Sequence, residues 1–462
     1  MGKYFGTDGF RGEANVTLTA DHAYQVGRFL GWYCGECKRR GGDSEPAKVV
    51  IGKDTRRSSY MFEYALASGL VASGADAYLL HVTTTPSVSY VARTEGFDCG
   101  IMISASHNPF YDNGIKLIGR SGEKMDEDTI ALIEDYLDGK LSVFGQTWET
   151  LPLAQRDHIG RTVDWSAGRN RYVGYLISLG MFSFKGKKVG LDCANGSAWM
   201  IARSVFDALG ATTYVMGDEP DGFNINNGVG STHIEALQRF VVEKGLDVGF
   251  AYDGDADRCL AVDEKGELVD GDKLIAIFAK AYKDQNKLKN NAAVVTVMTN
   301  LGFQHFAAAA GIDVVVASVG DRYVLEKMLD GGYNIGGEQS GHIIFLDEAT
   351  TGDGQLSGAK LMEIMAQTGK KLSELATVME HFPQVMINVK IAAKDREMWK
   401  NDPDITGLIA KREEELGDTG RILVRESGTE PLIRVMLEGR DFRRINTFAM
   451  EIADKIREKV GR

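Results

Sequence analysis

Proline is scarce in this chain, at 8 residues in 462, and no low-complexity tail has to be set aside before the fold is read. No apolar run is long enough to span a bilayer, and no secretory leader is recognisable. Together with only five cysteines, this leads us to expect a protein of the reducing cytosol. Cys34-Gly-Glu-Cys37 is the only CxxC, has no second pair and ends a probable helix, so it reads as structural rather than as zinc or redox chemistry. Basic charge is also in deficit. A net charge of -12 argues against nucleic acid or an anionic membrane as the main partner, and it means that any phosphate site must be assembled locally.

What is present is an ordinary globular composition, 44% hydrophobic and 26% charged, in a chain too long for one core. Glycine is frequent, at 54 residues, which suits tight loops where backbone approaches a ligand. One unit recurs three times. VVIGKD precedes YMFEYALASGLVASGA and DAYLLHV; KVGLDC precedes SAWMIARSVFDALGA and TTYVM; AAVVTVMT precedes NLGFQHFAAAAGI and DVVVASV. Each is a strand, an amphipathic helix ending at Gly74, Gly210 or Gly311, and a second strand. Three related α/β domains with mostly parallel, mixed sheets are therefore expected. The last stretch differs: strand QVMINVKI, helix ITGLIAKREEELG, strands RILVRES and LIRVMLEG, and a helix from Asp441 predict an α+β domain. The pattern changes divide the chain into residues 1–155, 156–254, 255–372 and 373–462.

The most informative segment is Asp253-Gly-Asp255-Ala-Asp257-Arg258, between the strand-like runs DVGFAY and CLAVDE. Carboxylates at alternate positions of an extended segment point the same way, and three of them repel unless a hard divalent cation takes their oxygens. That predicts Mg2+ and phosphate chemistry; a solvated acidic turn is the plain alternative. A calcium EF-hand does not fit, because Arg258 stands where that loop needs glycine.

Three further loops carry chemistry. Strand DCGIMIS runs into Ala105-Ser106-His107-Asn108-Pro109, and a parallel α/β sheet binds ligands beyond the carboxyl ends of its strands. Ser106 is placed as a nucleophile, with His107, Lys116 and the aspartates as helpers, although a turn serine would look the same. Gly336-Gly337-Glu338-Gln339-Ser340-Gly341-His342 mixes donors and acceptors that suit sugar hydroxyls, or a Gly-rich turn. Arg425-Glu426-Ser427-Gly428-Thr429-Glu430-Pro431, with Arg434 beyond, suits a phosphate cradle, or a hairpin with two surface arginines.

Six motifs in order, FGTDGFRG (5–12), ISASHNPFYDNGIK (103–116), DGDADR (253–258), GDRYVLEKM (320–328), GGEQSGH (336–342) and RESGTEPLIRVMLEG (425–439), make the chain resemble the phosphohexomutase superfamily over nearly its whole length. The resemblance implies four domains around a central cleft, with a C-terminal domain that can swing. It implies an isomerase-class intramolecular phosphotransferase that works through a phosphoserine and a sugar 1,6-bisphosphate, which also serves as activator. Glucosamine 6-phosphate and glucosamine 1-phosphate are the implied substrate pair, for amino-sugar nucleotide and cell-wall precursors, with Gln339 favouring this branch; mannose or glucose phosphates on the same scaffold are the alternative. By resemblance, Ser106 is the phosphorylated serine and, with Asp253, Asp255 and Asp257, holds Mg2+. Arg11, His107 and Lys116 lie near the transferring phosphoryl, and the general acid/base is either Lys116 or His107. Arg258, Arg322, Glu338, Ser340, His342, Arg425, Ser427, Gly428, Thr429 and Arg434 bind substrate. The chain departs from the family pattern at Glu426, often Pro, and at Phe10, usually Ile. A homodimer is among the assemblies left open.

Overall fold

The computed structural model describes residues 2–392, 398–426 and 432–460. Its first sheet has seven strands in the spatial order Phe5–Gly6, Gly9–Glu13, Asp112–Gly119, Cys99–Ile103, Lys48–Lys53, Asp76–Val82 and Thr162–Asp164. The last four run parallel, and Asp112–Gly119 and Gly9–Glu13 are antiparallel to their neighbours. The continuous apolar runs of the central strands follow from burial on both faces. Val49, Ile51, Ile101 and Ile103 meet Phe29 and Leu30 of helix Ala20–Arg40 and Phe62 and Leu66 of helix Arg57–Ala72. Val50, Leu80 and Met102 meet Val88 and Val91 of helix Thr85–Thr94 on the opposite face. The period of two thus assigns successive residues of one strand to two different cores.

The second sheet has the order Thr212–Met216, Lys188–Asp192, Val248–Tyr252, Cys259–Asp263, Leu268–Val269, and the third Asp313–Ala317, Ala292–Thr296, Ile335–Gly337, Ile343–Phe345. In each, the strand–helix–strand repeat forms the parallel part and a hairpin closes it. Gly74, Gly210 and Gly311 all have positive φ, as expected of residues that stop a helix. The second repeat departs from the expected single helix. It has a 3-10 turn at Ser197–Met200 and then a short helix, Ala202–Ala208, because Ser197 N donates to Gly254 O (2.8 Å) and Gly196 lies against Gly254.

The chain forms two compact units, Met1–Met298 with Ile312–Val378, and Thr299–Gly311 with Met379–Arg462. In the second unit an antiparallel sheet in the order Gln384–Lys390, Leu432–Gly439, Gly420–Glu426 packs against helices Pro403–Leu416 and Phe442–Lys459 around Val435, Leu437, Phe448 and Ile452. Two divisions expected from the sequence shift. The break near residue 254 falls inside a hairpin of the second sheet, since Tyr252 pairs with Cys259. Helix Leu301–Ala310 belongs to the second unit, where Leu301 N and Asn300 Nδ2 donate to the buried Glu438.

Candidate active site

Ser106 lies just beyond strand Cys99–Ile103, almost fully buried and with a positive φ of 52°. A left-handed conformation at a serine persists only where the surroundings enforce it, and such strain concentrates at functional sites. The enforcement is visible. Arg56 Nη2 donates to Ser106 O (3.1 Å) and to Asn108 O (2.5 Å), Asn226 Nδ2 donates to the same two carbonyls (2.9 and 3.2 Å), and Asp54 holds the Arg56 guanidinium. Asp54, Arg56 and Asn226 were not singled out from the sequence; the charged run Lys53-Asp54-Thr55-Arg56-Arg57 after a strand was the available signal.

Ser106 Oγ donates to Asp253 Oδ2 at 2.5 Å, with His107 Nδ1 3.2 Å away. Asp253, Asp255 and Asp257 are buried, and each places an oxygen within 4.8 Å of the others. Their convergence has a different cause from the one expected. The segment is not extended but a tight loop between antiparallel strands, with Ala256 at φ 57° and Ala256 N bonded to Asp253 O. Gly254 is required there, because a Cβ would stand 2.4 Å from Ser106 O.

Lys116 comes from strand Asp112–Gly119, opposite Met102, and its Nζ donates to Asp255 Oδ2 (2.6 Å) and Asp257 Oδ2 (3.3 Å), with Asp8 Oδ1 at 3.9 Å. Thr85 Oγ1, at the start of its helix, also donates to Asp255. Burial opposes charge on Lys116, yet Asp255, Asp257 and Asp8 hold its pKa well above the ordinary lysine value. Burial and the charges of Asp257 and Asp255 push Asp253 well above the carboxylate range. Asp257 is also buried, but Lys116 and His342 hold it well below. Lys116 thus serves Asp255 and Asp257 but does not reach Asp253, and the cluster lacks full compensation. Asp255 Oδ1 and Asp257 Oδ1 are buried with no hydrogen-bond partner among the described residues. An all-oxygen donor set with unused oxygens fits a hard divalent cation.

Around this centre the structure gathers some expected residues and turns others away. His107 Nδ1 faces Arg258 Nη1 at 3.0 Å; burial, then Arg258 and Arg11, push its pKa down to about 4, so it is neutral at pH 7. Arg11 pairs with Asp8, and the Nε atoms of Arg11 and Arg258 are buried without hydrogen-bond partners among the described residues. Glu338 Oε1 accepts from Gly320 N (3.0 Å), and Ser340 Oγ is buried with no hydrogen-bond partner among the described residues. His342 does not face outward with them. Its Nε2 accepts from Gly352 N (3.0 Å), leaving the proton on Nδ1, 3.8 Å from Asp257 Oδ2, so it supports a carboxylate of the triad. Arg322 pairs with Glu127 (2.7 Å) and Glu326 (2.8 Å), and it is the adjoining Asp321 that approaches the buried groups.

In the second unit, Arg425 and Arg434 stand directly opposite each other across the antiparallel ladder. Burial and the charge of Arg434 lower the Arg425 pKa. Glu426, the departure from the family pattern, is tied to Trp399 Nε1 (2.9 Å) and Lys400 Nζ (3.0 Å). Ser427, Gly428 and Thr429 lie outside the described residues.

A buried serine hydroxyl against a three-carboxylate loop and a buried lysine, carried on sheets of mixed α/β type, is an arrangement suited to a phosphoryl-transfer enzyme. The chain belongs to the phosphoglucomutase/phosphomannomutase family, the phosphohexomutases: residues 2–142, 170–266 and 270–382 match its alpha/beta/alpha domains I, II and III, and residues 386–455 its C-terminal domain. It is 59% identical over 99% of both chains to a phosphoglucosamine mutase of Lachnospira eligens, and 48% identical over the full length of both chains to one of Streptococcus pneumoniae. Among solved structures, a phosphoglucomutase/phosphomannomutase family protein of Burkholderia thailandensis shares the fold with a TM-score of 0.80 at 23% identity, covering 99% of this chain and 98% of that one. An N-acetylphosphoglucosamine mutase of Aspergillus fumigatus, in complex with GlcNAc-6P and magnesium, does so with a TM-score of 0.67 at 16% identity, covering 98% and 95%.

Proposed function

We propose that this enzyme interconverts glucosamine 6-phosphate and glucosamine 1-phosphate in the cytosol, through a phosphorylated Ser106 and glucosamine 1,6-bisphosphate. The observation that carries the reaction class is the Ser106 hydroxyl on Asp253 within the aspartate triad; the sugar is supported by full-length relatives at 47–59% identity named phosphoglucosamine mutase. Asp253, Asp255, Asp257 and the Ser106 oxygen would hold Mg2+, which when bound draws off negative charge from the transferring phosphoryl. The chain's own residues do the remainder. Arg11 and Arg258 direct buried N–H groups that have no acceptor among the described residues toward the equatorial oxygens. His107, neutral at pH 7 and 3.2 Å from the Ser106 oxygen, would take the Ser106 proton once Asp253 is engaged as a metal ligand and no longer accepts it, and would return it when the phosphoryl leaves. Lys116, charged, gives a proton to the departing sugar oxygen and recovers it in the reverse step. Glu338 and Ser340 read ring hydroxyls, and Arg425 and Arg434 hold a phosphate.

A 2-amino group is cationic where a 2-hydroxyl is neutral, and one such contact discriminates by about 1–3 kcal/mol. The test is kcat/KM for glucosamine, glucose and mannose phosphates side by side, with saturating Mg2+ and matched bisphosphate, alongside intact mass of the protein and of Ser106→Ala. The expected result is preference for glucosamine phosphate by roughly 10-fold or more and a phosphate adduct absent from Ser106→Ala. Preference for mannose or glucose phosphate would overturn the substrate, and activity retained in Ser106→Ala would overturn the nucleophile.

A further inference from the structure

Lys124 is absorbed by none of the roles above, yet every donor of its ammonium is used at a junction of the site. After strand Asp112–Gly119 the chain folds back on itself, with Gly119 N bonded to Glu123 O (2.8 Å), Ile118 bridged to Lys124, and Met125 N bonded to Leu117 O (3.0 Å). This return places Lys124 alongside the strand that carries Lys116. Its Nζ donates to Thr7 O (2.8 Å), Asp8 Oδ1 (3.3 Å) and Asp321 Oδ1 (2.6 Å). Asp8 is the same carboxylate that faces Arg11 and Lys116; desolvation works against its ionisation, but Lys116, Lys124 and Arg11 hold its pKa well below the ordinary range. Asp321 opens helix Asp321–Gly331, and the preceding residue, Gly320, binds Glu338 through its N–H. A single ammonium thus ties the Thr7-Asp8 turn, and with it Lys116 and Arg11, to the helix start that holds the Glu338 loop.

The packing behind these groups is loose. A cavity of about 230 Å³ is lined by Lys116, Lys124, Asp257, Asp321, His342 and Leu325, and none of Ser106, His107 or Glu338 lines it. With open space on that side, the charges are kept in place by one another and not by close packing. The second pair at the same helix end, Arg322 with Glu127, spans the same two segments.

We propose that Lys124 is a positioning residue for phosphoryl transfer: bridging Asp8 and Asp321, it sets the distance between the groups that act on the phosphoryl and the loop that reads the sugar. Lys124 is 30% exposed, and ion pairs that water still reaches contribute little to stability, whereas an error of an ångström in alignment costs a reaction about 100-fold. The effect therefore belongs in turnover and not in the fold. The inference rests on the mutase reading only in needing a hexose phosphate that the enzyme turns over, and the sugar on which the wild type is fastest is the one to use. A wrong substrate reading then changes the sugar and leaves the variant-to-wild-type ratio intact.

The variants are Lys124→Met, Lys124→Arg and Asp321→Asn, assayed for kcat, KM and melting temperature. Lys124→Met is expected to lower kcat about 100-fold with KM within about threefold and melting within a few degrees of wild type. Lys124→Arg should recover to within about tenfold of wild type, and the double variant Lys124→Met/Asp321→Asn should be no worse than Lys124→Met by more than about threefold, because both remove one bridge. A kcat loss below about tenfold in Lys124→Met, a loss carried by KM, or a loss that arginine does not rescue overturns the proposal. Should Lys124→Met fail to fold, Asp321→Asn, which keeps shape and removes the same bridge, is read against the same limits.

Discussion

The aspartate loop and the arginine pair are the two places where this chain concentrates like charge, and both sit on antiparallel strand pairs, Tyr252 against Cys259 and Arg425 against Arg434. They handle it differently. The aspartates are fully buried, so the protein must supply compensation from within: Lys116, Thr85 and the Ser106 hydroxyl each spend a donor on them. The arginines are half-buried, and water screens part of their repulsion. Burial decides whether a charged site carries its own counter-charge. A site that does so is organised in advance of its ligand, and it becomes sensitive to loss of the ammonium at its centre.

That sensitivity can be broken asymmetrically. Lys116→Met strips the single ammonium from two buried carboxylates, and we expect turnover to fall by roughly 100-fold or more and stability by about 3–5 kcal/mol. Asp255→Asn removes an anion from an anion-rich cluster, leaving Lys116 with Asp257 and Asp8. Turnover and Mg2+ affinity should fall, but stability should stay within about 1 kcal/mol, since relief of repulsion offsets the lost pair. Urea unfolding of both variants in chelator checks the contrast, and equal destabilisation would show that Lys116 does not compensate the triad.

A smaller effect is expected in the second unit. Arg425→Gln relieves a like-charge pair, so stability should be unchanged or higher by up to about 1 kcal/mol, while KM for the sugar phosphate rises about tenfold and kcat changes little. A variant that loses stability and keeps KM would assign the pair to the fold and not to phosphate.

An effect confined to stability concerns a buried carboxylate that the structure leaves to neutral donors. Asp353 accepts from Tyr172 Oη (2.7 Å) and Leu356 N (2.9 Å), and burial raises its pKa to about 6. A folded-state pKa above the unfolded one means that the folded protein binds this proton more tightly. Its contribution to stability is therefore present below pH ~3.8 and is lost as pH rises through about 6. Asp353→Asn keeps the helix cap and does not titrate. It should gain on the wild type between pH 4.5 and 7.5 by about 1–3 kcal/mol in denaturant unfolding. A gap that stays flat or narrows over that range would count against an uncompensated carboxylate here.

Much of this was legible in the sequence, and the parts that were not share one cause. Repeats, strand runs, the glycines after helices and the loops bearing Ser106 and the three aspartates are local patterns, and the structure places them where those patterns predict. Inward convergence of the aspartates was anticipated, but the means was not: the segment turns through Ala256 and does not run extended. Likewise Asp321 replaces Arg322 as the inward-facing residue of its motif, His342 stands behind Asp257, and Arg56 with Asn226 holds the Ser106 loop.

By itself, then, the sequence determined which loops gather serine, carboxylates and arginines and which stretches become strand or helix, because hydrophobic period and turn chemistry act over a few residues. Only the tertiary structure decided how that chemistry is held. Lys124 meets Asp321 from nearly two hundred residues away, and Asn226 reaches Ser106 across 120. Pairings of that kind depend on how sheets and loops pack. Which charge ends beside which is settled by burial, where an uncompensated carboxylate or ammonium is too costly to leave alone.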